Sequence, residues 1–95
     1  MIAETRGFRS REVAETLAIQ AFSWLAGNEE ALSQFMNLSG MGPDDMRLAA
    51  NDPGFLAAVL DFVSAEDALI VAFAGHAGVT PERIVAARRV LNGYD

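Results

Sequence analysis

Phe35-Met-Asn-Leu-Ser-Gly40-Met-Gly-Pro43-Asp-Asp-Met46-Arg-Leu-Ala49 and Phe73-Ala-Gly-His-Ala-Gly78-Val-Thr-Pro81-Glu-Arg-Ile84-Val-Ala-Ala87 are two versions of one motif, 38 residues apart. Both read Phe-x4-Gly-x2-Pro-acid-x-apolar-x2-Ala. Each residue type in it has a role where one helix ends and the next begins. Gly40 and Gly78 stand where a chain leaving a helix turns left-handed, a conformation glycine enters without a Cβ clash. Met41 and Val79 then fold back onto the last turn, where Phe35 and Phe73 receive them. Pro43 and Pro81 suit the first position of a new helix, whose N–H has no intrahelical partner, with Gly42 and Thr80 as N-caps. Asp44 and Glu82 place negative charge on the exposed N–H groups of the first turn. Met41 with Met46, and Val79 with Ile84, have the spacing of a hydrophobic staple.

The periodicity extends outward from the motif. Residues 17–50 overlay residues 55–88 without a gap and most apolar positions stay apolar, although only four of the 34 pairs are identical. Solenoids generally need three or more repeats. Two copies predict a closed all-α bundle of about six short helices, with two similar halves packed face to face. Leu32, Phe35, Leu60, Phe62, Ile70 and Phe73 are expected to be buried in it.

Caps and breakers give the remaining boundaries. Ser10 precedes an amphipathic stretch over residues 11–26, with Val13, Leu17, Ala21 and Trp24 or Leu25 at helical spacing. Asn28 caps a second helix that Gly40 stops, and a short third helix covers residues 43–50. Asp52 and Pro53 start a fourth, the most apolar, containing Phe55, Val59, Leu60 and Phe62. Ser64 and Asp67 form a cap variant that opens a fifth helix, and Thr80 opens a sixth that runs to about Leu91. Residues 1–9 show no helical pattern and read as a flexible arm on a single domain over residues 10–95. No segment alternates as a strand does.

Residues 17–22 (Leu-Ala-Ile-Gln-Ala-Phe), Leu38-Ser-Gly, Pro43-Asp-Asp-Met-Arg47, residues 52–62 and the run from Phe73 to Pro81 together resemble the small bacterial proteins grouped as domain of unknown function 3572. The resemblance covers about Ser10 to Leu91. It implies a small helical cytosolic protein of bacteria, with no activity and no catalytic residues to carry over.

Composition narrows the chemistry. With no cysteine, disulfides, thiol nucleophiles and Cys-rich zinc sites are excluded, which is compatible with a reducing compartment. No N-terminal stretch has signal-peptide character, and the longest apolar-rich run, Ala68 to Ala74, is far below spanning length. The net charge of −6 is concentrated in the middle, where eight acids from Glu29 to Asp67 face Arg47 alone. Such a body repels nucleic-acid phosphates and anionic membranes, so neither is expected as a partner. Arg6, Arg9 and Arg11 are too few and too interrupted for an RNA-binding arm.

His76 is the only histidine and falls in a last helical turn, where a cationic imidazole suits the carbonyl end. Asp44-Asp45 and Glu66-Asp67 are adjacent, so their side chains diverge by about 100° on a helix rather than converge on an ion. The glycines lack the Lys-Ser/Thr or preceding strand of a phosphate loop. No catalytic, metal or cofactor residue is therefore assigned. Trp24 and the methionines are read as core, with an adaptable apolar pocket as the alternative.

Two functional classes remain. One is a non-enzymatic interaction module that buries a helical face against another protein or a second copy. The other is a ligand-binding protein or enzyme whose site assembles in three dimensions around Trp24, Arg47 and the central acids. At 52% apolar residues, a chain this small cannot bury everything. The helix from Pro53 to Val63 is apolar nearly all round, which predicts cover from outside, with Trp24, Phe55, Val59 and Phe62 as the interaction surface and, as the assembly, a homodimer that buries part of this helix or of the first one.

Overall fold

The computed structural model describes the backbone of residues 2–93 and the side chains of residues 10–93. Among them are six helices and no strand: α1 (Ile2–Ala26), α2 (Glu29–Ser39), α3 (Pro43–Ala49), α4 (Pro53–Ala65), α5 (Asp67–Ala77) and α6 (Pro81–Leu91). The all-α bundle expected from the sequence is the architecture found.

The junctions follow their local chemistry. The Ala31 N–H donates to Asn28 Oδ1 at 3.2 Å, the Gly54 N–H to Asp52 Oδ1 at 2.8 Å and the Arg83 N–H to Thr80 Oγ1 at 3.3 Å, each satisfying a donor at the start of a helix. Gly42 has no side chain to offer. Its own N–H instead donates to Asp45 Oδ2 at 3.0 Å, which holds the start of α3. Gly40 and Gly78 are left-handed, with φ of 73° and 71°. A Cβ at either would meet no atom within 4 Å, so their role is conformational rather than steric. The two ends nevertheless differ in one bond. The Val79 N–H returns to the Ala74 carbonyl at 3.1 Å, whereas the Met41 N–H is diverted to Ser39 Oγ at 3.3 Å.

α4 is the centre of the molecule. It lies against α1, α5 and α6 and buries Phe55, Leu56, Ala57, Val59, Leu60, Phe62 and Val63. Phe35 from α2 meets Phe55 and Phe62 edge-on at 5.9 and 5.3 Å, and Phe22 from α1 meets Phe55 at 5.2 Å. An all-round apolar helix does need cover on every side, and the chain supplies it. Phe55 is 7%, Val59 0% and Phe62 9% exposed, so these three do not form the outward-facing interaction surface expected of them.

Three local expectations are corrected. Ser10 is not a helix start, because α1 runs back to Ile2. Nothing at residues 2–9 breaks a helix as proline would, and Ala3, Glu4, Arg6 and Arg9 are good helix formers. The flexible arm expected over residues 1–9 thus has helical backbone from Ile2 onward, while Met1 and the side chains of residues 2–9 lie outside the described residues. The buried stripe of α1 is Ala14, Leu17, Ala18, Ala21 and Leu25, with Val13 left 48% exposed. Small alanines fit where α1 lies close to α4 and α6. Ser64 does not cap α5. Burial of Phe62 and Val63 carries α4 on to Ala65, and Glu66, with extended backbone at φ −124° and ψ 130°, is the hinge between the helices.

Both copies of the motif end one helix at glycine and begin the next at proline, but the two halves of the chain pack differently. α6 buries Ile84 and Ala87 and lies against α1, α4 and α5. Its counterpart α3 has seven residues, buries Met46 alone and has no comparable helix neighbour. Leu32, expected in the core, is only half-buried, while its counterpart Ile70 is buried.

Candidate functional site

Three surface regions gather the side chains from which a site would have to be built. The first is a groove of 320 Å³ along the pair α1 and α6. Its floor is Ala14 and Ala87, both buried, and its sides carry Val13, Leu17, Ala86 and Val90. Arg83 lies at its edge and also lines an adjoining groove of 350 Å³ with Glu12, Thr16 and Gln20. The spacing explains the shape. Arg83, Ala86, Ala87 and Val90 recur at i, i+3, i+4 and i+7 and so share one face of α6. Two alanines in the middle of that face leave room that larger side chains would fill. Glu12 and Arg83 face the same cleft, yet neither is in either of the two ion pairs formed among the described residues.

The second region is an open cleft of 620 Å³ where α1 turns into α2, lined by Ser23, Trp24, Asn28, Glu29 and His76. Trp24 is half-buried, its ring 5.6 Å from that of Phe73 and tilted by 44°. His76 is exposed in the last turn of α5, as the sequence predicts. Arg47 is not in this cleft. It lies 3.9 Å from Asp44 on α3 with both side chains more than 80% exposed, a pair that contributes next to nothing in water. The grouping of Trp24, Arg47 and central acids is therefore not one site. Replacing His76 by glutamine is expected to leave the stability measured by urea denaturation unchanged within about 0.5 kcal/mol, because only an exposed helix-end interaction is lost. A larger drop would mean that the imidazole holds the cleft together.

The third region ties α4 to α6. Arg88 Nε donates to Asp61 Oδ1 at 2.6 Å, and Asn92 Nδ2 donates to the same carboxylate oxygen at 3.2 Å and to the Arg88 carbonyl at 2.8 Å. The bond between Arg88 and Asp61 spans 27 residues and fixes the end of α6 on the central helix. With both side chains nearly half exposed, it contributes about 0.2–1 kcal/mol. Sequence alone does not find this pair, since Asp61 and Arg88 carry no local signal of each other.

The other residues singled out by the sequence are structural. Phe35 and Phe73 are buried, Gly40 and Gly78 end α2 and α5, and Pro43 and Pro81 begin α3 and α6. Met36 and Met41 pack against the core and Met46 is within it. Among the described residues no charged side chain is buried, and no three His, Asp or Glu side chains gather where an ion could be held. No helix among them is long and apolar enough to cross a membrane.

The model of a family described as protein of unknown function (DUF3572) matches residues 11–94, from within α1 to just past the end of α6. The chain belongs to that family. The resemblance carried by the Pro43, Asp52–Phe62 and Phe73–Pro81 segments is thereby established, and the description attached to the DUF3572 family assigns no activity. No curated protein and no solved structure matches the chain. The grooves and clefts of this DUF3572 protein must therefore be interpreted from their own chemistry.

Proposed function

We propose that the protein is a non-enzymatic helical interaction module of the bacterial cytoplasm, and that it docks other protein through the face formed by α1 and α6. The groove between these helices carries the reading: its floor is alanine, its walls are aliphatic, and Val13 stands half exposed beside it. Such an arrangement receives an apolar side chain from another helix, as helix-in-groove recognition does. The acidic middle of the chain argues against nucleic acid or an anionic membrane as the partner, and the absence of cysteine suits a reducing cytosol.

The second reading, a small-ligand protein or enzyme, draws its support from the cleft beside Trp24, where an aromatic ring, an imidazole, an amide and a carboxylate line a common space. The exposure of that cleft to solvent favours the first reading, because small-molecule sites enclose most of their ligand. A photo-crosslinking amino acid placed at the exposed position 86 in the native cell tests the proposal, with the same probe at position 30 on the acidic side as comparison. A protein adduct formed from position 86 and not from position 30 supports the module, and the absence of any adduct from position 86 overturns it.

A further inference from the structure

Resting on that docking face, we infer that its occupant is a second copy of the chain, seated about a twofold axis that brings α1 and α6 of each copy together. A twofold interface is self-complementary, so one patch must contain both halves of every contact. The face does. It holds a groove floored by Ala14 and Ala87 and, beside it, the half-exposed Val13 as a side chain able to fill the groove of another copy. It also holds Glu12 and Arg83, exposed in one cleft and not paired with each other, so that a twofold axis can set each against its opposite in the other copy.

Charge permits the same face. Two copies each carrying −6 repel most strongly through the segment from Glu29 to Asp67, which holds −7. The last twenty residues, which contain α6, carry +1, and the first fifteen, which contain the N-terminal half of α1, carry no net charge. Here copies approach without setting the acidic segment of one against that of the other. The exposed Leu38 and Leu48 lie within the acidic segment, where a second copy is disfavoured.

Sedimentation equilibrium of the full chain at micromolar concentration in moderate salt is expected to give the dimer mass. Ala86→Glu, an exposed substitution that the fold accommodates, is expected to weaken the dimer about 100-fold or more by filling the groove with a longer side chain whose carboxylate must be desolvated in the interface, with the helical circular dichroism unchanged. Glu12→Arg and Arg83→Glu should each weaken the dimer, and the two together should restore it. A monomer mass throughout, or a dimer indifferent to Ala86→Glu, overturns the second copy as occupant. The two failures separate cleanly. A monomeric chain that still crosslinks a different protein from position 86 leaves the docking face standing without self-association, whereas a monomer that crosslinks nothing there removes both.

Discussion

Phe73→Ala is expected to destabilise the fold by about 3–5 kcal/mol, measured as a lowered denaturation midpoint in urea. The ring is fully buried on α5, and it is the largest side chain among the described residues with no exposed surface. Removing it deletes the apolar area it contributes and leaves a cavity that its neighbours fill only in part. Those neighbours are fixed from two directions. Trp24 packs on the ring from α1, and the turn through Gly78 brings the half-buried Val79 against the core by the bond from its N–H to the Ala74 carbonyl. A chain of this size has on the order of 5–10 kcal/mol of stability in all, so the loss would remove a large share of it. Trp24 is the only tryptophan, and its emission reports the transition at the site of the cavity. A loss below about 1 kcal/mol would show that the junction, rather than the ring, holds α5 in place.

The boundaries of the helices are legible because they are set by single residues acting over a few bonds. Asn28, Asp52 and Thr80 accept from N–H groups two or three residues on, Pro43, Pro53 and Pro81 occupy first positions, and Gly40 and Gly78 leave their helices left-handed. Each of those preferences exists in an isolated peptide and survives folding. Ser64 misleads for the converse reason. It has a capping residue's chemistry, but burial of Val63 one position earlier outweighs a cap contribution of about 1 kcal/mol and carries α4 past it. Among the described residues its hydroxyl has no hydrogen-bond partner.

The candidate surface is less legible because exposure belongs to the assembled bundle. The composition of their helix implies that Phe55, Val59 and Phe62 need an external partner, yet α1, α2, α5 and α6 together enclose them. The groove between α1 and α6 has no sequence signature, because alanine marks a gap only once the neighbouring helix is known. In a periodicity count Ala14, Ala86 and Ala87 are merely apolar. The long-range bond from Arg88 to Asp61 is invisible for the same reason.

The two halves of the sequence should respond unequally to matched substitutions, and the contrast between Met46 and Ile84 measures it. They occupy the same motif position, 38 residues apart, and both are buried, at 3% and 0% exposure. Ile84→Ala is expected to cost about 3–4 kcal/mol, because α6 is held by α1, α4 and α5 and cannot close over the space left behind. Met46→Ala is expected to cost about 2 kcal/mol or less, because α3 has only seven residues and no helix neighbour of comparable extent, so it can shift inward as a unit. Methionine also surrenders more side-chain entropy on burial than isoleucine, which lowers its net contribution further. Urea denaturation of the two variants under identical conditions decides between them. Equal losses would mean that α3 is as firmly packed as α6 and that the halves of the bundle are energetic as well as sequence equivalents. A loss confined to Ile84→Ala would place the stability of the fold in α1, α4, α5 and α6, with α3 a connecting turn that the central helix tolerates.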